Sequence, residues 1–361
     1  MKTSHPEVVV ITGATAGIGR ATVREFARHG ASIALLAREP ERLEATRLEV
    51  EQLGGKAIAI PTDMADYAQV EAAAERTERE LGPIDIWVND AMATIFAPFD
   101  KITPEDYRRV TDVTYHGFVW GTMAALKHMR PRNRGTIVQV GSALAYRSIP
   151  LQSPYCGAKH AVNGFTQSVR TELMHENSKV HIAMLEMPGV NTPQFDWCKT
   201  TLDKHPKPMG PYYQPEVAAR AIYWAAHSRR PEMYVGMPSA LTIIAQKLMP
   251  RLLDRILARN GFDGQHTQQP ISADRPANLW QPVPGPYAAQ GRFSEGAHRH
   301  SPELWASMHR NWLLAGRVAL GYLLGVRPRS TFDHSFHSQC TASFPSGPSA
   351  SPERRSDNDR R

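Results

Sequence analysis

The feature that most constrains this chain is a short apolar run, Val8-Val9-Val10-Ile11. It passes without a polar spacer into Thr12-Gly13-Ala14-Thr15-Ala16-Gly17-Ile18-Gly19 and then into a helical pattern over residues 20–29. A short run of β-branched residues reads as a strand buried on both faces. Glycines directly after it permit a tight turn and let the backbone approach a phosphate. The amides opening the next helix add donors and positive potential. Strand, glycine turn and helix in this order point to a dinucleotide, with the spacing G-x-x-x-G-x-G in place of G-x-G-x-x-G.

The same alternation continues. Short apolar runs recur at residues 7–11, 32–37, 56–60, 84–88, 136–140, 180–185 and 233–235, separated by helical patterns such as 41–53 and 69–81. This predicts an α/β fold, a doubly wound parallel sheet of seven strands with helices on both faces. Thr103-Pro104-Glu105-Asp106 marks a helix start, with Thr as N-cap and Pro and acids in the first turn, and Gln214-Pro215-Glu216 opens another. Three parts are expected. Residues 1–240 form the dinucleotide-binding catalytic domain. Residues 241–326 form a mostly helical extension, and residues 327–361, rich in Ser, Pro, His and Arg, form a disordered tail. Within the extension, residues 241–259 read as amphipathic helix broken at Pro250, and 261–292 as an irregular excursion anchored by Trp280. Residues 302–326 read as helix again. The apolar faces of 241–259 and 302–326 are expected to pack over the crevice mouth or against another subunit.

Hydrophobic residues make up 42% and charged residues 21%, which excludes a wholly disordered, collagen-like or coiled-coil chain. Cys156, Cys198 and Cys340 form no C-x-x-C pair, so no disulfide framework is expected. The histidines are dispersed, and the close pair His298 and His300 lacks acidic or cysteine neighbours, so no metal site is expected. The net charge is +7, but arginines are interspersed with acids and no basic run interleaved with aromatics occurs, so nucleic acid is not expected as a partner. No segment reaches the roughly 18–20 apolar residues needed to span a bilayer. Residues 312–326 come nearest, are short and contain Arg317; they fit a buried or interfacial helix, with peripheral membrane contact the less favoured reading. With no apolar signal core before the first strand, the expected compartment is the cytoplasm.

A second motif is Tyr155-Cys156-Gly157-Ala158-Lys159. Tyr and Lys at i, i+4 share one helix face, and an ammonium beside a phenol favours phenolate. At an effective dielectric near 20, a charge about 4–5 Å away is worth roughly 3–4 kcal/mol, enough to bring the tyrosine within reach of neutral pH as an acid/base. Ser142 follows the strand at residues 136–140, where strand C-termini face the ligand crevice, and its hydroxyl can hold a carbonyl oxygen beside the tyrosine.

Together these motifs resemble the short-chain dehydrogenase/reductases of the TGxxxGIG and YxxxK branch over about residues 5–240, and beyond residue 240 a longer, uncharacterised subgroup of oxidoreductases. The resemblance implies a Rossmann fold with the active site built into it. It assigns Tyr155 as proton donor in reduction, Ser142 as the hydroxyl positioning the carbonyl, and Lys159 as ribose ligand and modulator of the tyrosine. It places the cofactor against Thr12, Gly13, Thr15, Gly17, Ile18 and Gly19, with Asp63 on the adenine and Asn89 after the fourth strand. Pro188, Gly189 and Thr192 match the family's PG-x-x-T segment, with Thr192 on the carboxamide. Two departures stand out. Asn89-Asp90-Ala91-Met92 replaces Asn-Asn-Ala-Gly, and Thr114 stands where the family has an asparagine that holds a proton-relay water. A threonine hydroxyl binds water but cannot reproduce an amide's paired donor and acceptor.

No acid stands at Ala37 to take the ribose 2′-hydroxyl of NAD, and Arg38 follows, suited to a 2′-phosphate. NADP is therefore expected, with NAD the alternative. Tyr146, Phe195 and Trp197 suggest an apolar or aromatic substrate pocket. Cys156 reads as packing, Trp120, Met123 and Leu126 as a helix–helix seam, and His116 and His160 as partnered or exposed histidines. The expected function is NADP(H)-dependent interconversion of a small-molecule carbonyl and alcohol by hydride transfer, in a homo-oligomer built on the helices at 104–129 and 153–175. The alternatives are a non-catalytic dinucleotide-binding sensor or assembly protein, and a 3-oxoacyl thioester reductase.

Overall fold

A short apolar run gives a strand where neighbouring strands and helices can bury it, and seven strands form here, the inner ones buried on both faces and the two edge strands only in part. The computed structural model describes residues 6–272, 274–285, 287–310 and 312. The expected tail at 327–361 and the helix beyond residue 312 lie outside them. β1 (Val8–Thr12), β2 (Ser32–Ala37), β3 (Lys56–Pro61), β4 (Ile86–Asn89), β5 (Thr136–Val140), β6 (His181–Glu186) and β7 (Glu232–Tyr234) form one sheet. Its order is β3-β2-β1-β4-β5-β6-β7, and every pairing is parallel.

Helices cover both faces. α1 (Gly17–Arg28), α2 (Pro40–Gln52) and α7 (Pro215–Ala226) bury Val23, Phe26, Leu43, Val217 and Ile222 against one face. α3 (Tyr67–Glu80), α5 (Gly117–Arg132) and α6 (Ser153–His175) bury Val70, Ala73, Ala124, Met129 and Leu173 on the other. α4 (Pro104–Thr111) starts as its residues dictate, with the Thr103 hydroxyl accepting the Asp106 N–H at 3.2 Å. The expected continuous helix from 104 is interrupted. Residues Asp112–His116 form a π-turn between α4 and α5, and Thr114 sits in it. A π-turn turns its side chains away from the regular helical face, and such turns recur at functional sites.

Past the sheet, α8 (Met237–Leu248) and α9 (Pro250–Asn260) meet at Pro250, as the sequence suggested. The excursion that follows is irregular apart from a strand at His266–Pro270 paired with Lys204–Pro206. Its buried anchor is Leu279 rather than Trp280. Leu279 is 1% exposed, whereas Trp280 is 50% exposed and uses its indole N–H on the Asp106 carboxylate at 2.9 Å. The indole's size suggested the anchor, but its polar edge keeps it at the rim. α10 (Pro302–Met308) closes this part by burying Leu304 against the α1 face.

Candidate active site

In a parallel sheet the strand C-termini and the loops after them share one edge, so residues far apart in sequence converge there. Thr12, Ala37, Thr62, Asn89, Val140 and Glu186 stand at or next to these ends. A cavity of about 640 Å³ opens along this edge and is lined by Gly13, Thr15, Gly17, Ile18 and Arg38 at one end and by Ser142, Tyr155, Lys159, Pro188, Gly189 and Thr192 further along.

The glycine turn is held for close approach. Gly13 has φ +71°, and a Cβ there would press on Ala91 Cα at 3.0 Å. At Gly19 a Cβ would collide with the Gly13 carbonyl oxygen. Thr12 does not line the cavity. Its hydroxyl accepts the N–H groups of Asp90 (2.9 Å) and Ala91 (3.0 Å), tying the turn to the loop after β4. Asn89 is also away from the cavity surface. Fully buried, it accepts from the Trp87 indole at 2.8 Å and donates to Gln139 at 2.9 Å, so it braces β4 against β5.

Ser142 follows β5, and its hydroxyl accepts the Leu144 N–H at 3.1 Å. Tyr155 and Lys159 lie one turn apart in α6, reached through Leu151, a non-glycine residue at φ +69°. The Lys159 ammonium donates to the Val140 carbonyl at 2.7 Å and stands 4.3 Å above the Phe118 ring. Burial lowers the Lys159 pKa, while Asp90 and Glu186 hold its charge in place. Burial likewise raises Asp90, opposed by Lys159 and by the Gly19 N–H.

The tyrosine corrects one expectation. Spacing alone suggested that Lys159 would pull the phenol toward neutrality. In the structure burial pushes the Tyr155 pKa up, a contact with Ser142 pulls the other way, and the nearby Asp90 and Glu186 raise it further. Desolvation of a buried anion outweighs one cation that is itself desolvated. At neutral pH the site holds a protonated phenol.

Thr114 is occupied. Its hydroxyl accepts the Ala93 N–H and donates to the Ala93 carbonyl, each at 2.9 Å, and the residue is fully buried. It does not line the cavity. Asp63 is committed as well, accepting Arg109 Nη2 at 2.7 Å. Arg38 lines the cavity but spends its guanidinium on the carbonyls of Asn278, Leu279 (3.4 Å) and Trp280 (3.1 Å).

The excursion supplies wall that no motif announced. The Ala288 carbonyl accepts the Gly17 N–H at 3.1 Å, and Arg20 donates to the Tyr287 carbonyl. Arg42 donates to Gly285 at 2.9 Å and stacks over the Tyr287 ring at 3.2 Å, while Trp197 faces the same ring at 3.8 Å. Asn278, Leu279, Pro282 and Tyr287 all line the cavity. An aromatic residue beside prolines in a segment without period was the one available hint.

The other side of the cavity is apolar. Phe195 and Trp197 line it as expected. Tyr146 does not, because its hydroxyl donates to the Glu232 carboxylate. Thr242, Ala245, Leu253 and Leu257 of α8 and α9 complete this side, so their inner faces do pack over the mouth. Cys156 is buried packing, His116 pairs with Asp112 at 2.9 Å, and His160 bonds the Cys156 carbonyl at 2.8 Å. Trp120 and Leu126 pack in the α3/α5 seam, whereas Met123 is exposed.

A family model described as short chain dehydrogenase matches residues 7–200. The chain is 34% identical over 282 residues to the uncharacterized oxidoreductase YxnA of Bacillus subtilis, covering 78% of this chain and 79% of that protein. It is 30% identical over 192 residues to the 3-dehydrosphinganine reductase of Danio rerio, covering 52% and 57% respectively. Among solved structures, an alcohol dehydrogenase from the archaeon Thermococcus sibiricus complexed with 5-hydroxy-NADP matches with a TM-score of 0.56 at 25% identity. That match covers 64% of this chain and 96% of the other.

Proposed function

Because the chain belongs to the short-chain dehydrogenases, we propose that it is an NADP(H)-dependent oxidoreductase interconverting a carbonyl and an alcohol, with Tyr155 as the acid/base. The observation supporting this reading is the convergence of Ser142, Tyr155 and Lys159 on one wall of a cavity whose other end is a glycine turn beside Arg38 and Arg42. That cationic end fits a 2′-phosphate, and the 5-hydroxy-NADP of the archaeal neighbour supports the same choice. The glycines let the turn pack tightly against Ala91, and Gly13, Thr15, Gly17 and Ile18 line the part of the cavity where a dinucleotide would lie.

Bound NADPH would supply the hydride. The chain's own residues handle the proton. The phenol of Tyr155, kept protonated by burial, gives its proton to the carbonyl oxygen. Ser142 donates to the same oxygen and fixes its position. The Lys159 ammonium, 5.6 Å from the centre of the Tyr155 ring, is placed to meet the phenolate that forms. Orientation and electrostatics of this kind account for most of what such a site contributes.

A second reading, dinucleotide binding without turnover, has one observation in its favour: Gly17 and Arg38 already bond to carbonyls of the chain's own excursion. The family resemblance also supports a homo-oligomer built on α4, α5 and α6. The experiment that separates the two functional readings follows NADPH oxidation with a panel of ketones, aldehydes and quinones, comparing wild type with Tyr155→Phe. Turnover that falls by about a hundredfold or more in the variant, with NADPH still bound, supports the enzyme. NADPH binding with no turnover on any carbonyl supports the sensor.

A further inference from the structure

We propose that the outer face of α8 and α9 docks on an anionic lipid bilayer, and that the cavity receives an apolar, long-chain substrate through that face. The docking half stands on geometry alone; the substrate half rests on the oxidoreductase reading above.

The two helices each have two working faces. On the inner side Thr242, Ala245, Leu253 and Leu257 line the cavity. On the outer side of α8, the exposed residues Met237, Leu241, Ile244 and Leu248 follow one another at steps of four, three and four, a single stripe along a helix of period 3.6. Ile244 is 50% and Leu248 72% exposed. The stripe continues through Met249 into α9, where Leu252 (46%) and Ile256 (42%) lie one turn apart and no residue is buried. Leu241 and Ile256 belong to both sets, exposed and lining the cavity, so the cavity mouth opens onto the stripe. An apolar patch of this extent on a water-facing surface marks an interaction site.

Charge selects the partner. From Met237 to Asn260 there are four cations, Lys247, Arg251, Arg255 and Arg259, and one acid, Asp254. That acid is engaged by Arg147 at 2.8 Å. The three α9 arginines hold no ion pair among the described residues. A second copy docking by the same face would set these cations against themselves, since an isologous contact repeats one patch. An anionic lipid surface neutralises them while its acyl region takes the stripe, as an interfacial amphipathic helix requires. No helix among the described residues is long and apolar enough to cross a membrane. The pair therefore lies on the surface.

The test uses the full chain and co-sedimentation with two vesicle preparations, phosphatidylcholine alone and equal parts phosphatidylcholine and phosphatidylglycerol. The expected result is about tenfold or greater preference for the anionic vesicles, weakened by salt. The combined variant Ile244→Glu, Leu248→Glu and Leu252→Glu, whose residues lie outside the cavity lining, should lose binding about tenfold with circular dichroism and Tm unchanged. With NADPH, the variant should keep its turnover of benzaldehyde and lose that of vesicle-borne hexadecanal. The docking surface is overturned if wild type ignores anionic vesicles, if the variant binds them equally, or if the variant turns a lipid-free dimer into a monomer. Vesicle binding without turnover of either aldehyde overturns the oxidoreductase reading and leaves the docking surface standing.

Discussion

Thr114 and Ala93 are locked together by a reciprocal pair of hydrogen bonds, with one threonine hydroxyl serving both the N–H and the carbonyl of the alanine at 2.9 Å. Ala93 lies in the loop that carries Asp90, and the clamp fixes that loop against the π-turn. Thr114→Val keeps the shape and removes the hydroxyl, leaving two buried backbone groups without a partner. The expected cost is about 1–3 kcal/mol of stability in urea denaturation. Thr114→Ser should restore most of it. Full stability in the valine variant would contradict the clamp.

Arg38 holds the excursion through three carbonyls and faces the cavity end assigned to the 2′-phosphate. Arg38→Ala should weaken NADPH binding by about tenfold or more while changing NADH much less, because only the former loses a charge-assisted phosphate contact. Fluorescence titration with both cofactors checks this. Equal losses would make Arg38 an anchor of the excursion alone.

Glu186 lies buried beside Gly141, and burial, with the neighbouring Glu232, raises its carboxyl from 4.5 to about 8. A carboxyl raised on folding favours the folded state while it is protonated. Its contribution is complete below the ordinary carboxylate range and is lost as pH climbs through about 8. Relative to Glu186→Gln, the wild-type Tm should therefore fall as pH rises from 5 to 8 and level off above that. Parallel Tm curves for the two proteins across that window would refute the assignment.

Leu279 is a fully enclosed side chain in the stretch of the excursion that reaches Arg38, and it packs with Ala93, Ile95 and Val110. Leu279→Ala should cost about 2–5 kcal/mol if the segment unfolds with the sheet. If the segment opens by itself, global stability changes little and limited proteolysis cuts near residue 280. In both cases NADPH affinity falls; an unchanged affinity would show that this wall is not used.

What was legible in the sequence was local. Seven strands, the glycine turn and the Ser142, Tyr155 and Lys159 set could be read because each is carried by a few adjacent residues and a fixed period. Arg38's partners lie about 240 positions away in a segment with no period, so no pattern linked them. Spacing reveals a charge near Tyr155 but not the loss of water around its phenol. The Tyr146 ring suggests a pocket wall, but its hydroxyl donates to Glu232 and draws the side chain away from the cavity. Leu279 adjoins a larger tryptophan whose indole N–H needs a polar partner, so size alone does not mark the buried residue.

The distance in sequence between the glycine turn and its outer wall has a consequence during synthesis. The ribosome releases Gly17 and Arg20 early, but Tyr287 and Ala288, which bond to them, emerge some 270 residues later. Sheet strands can pair as they appear, while the crevice stays without one side until nearly the whole described chain has left the exit tunnel. A nascent chain thus acquires its fold well before its ligand-binding competence, and a message truncated before residue 278 would yield a sheet with an open crevice.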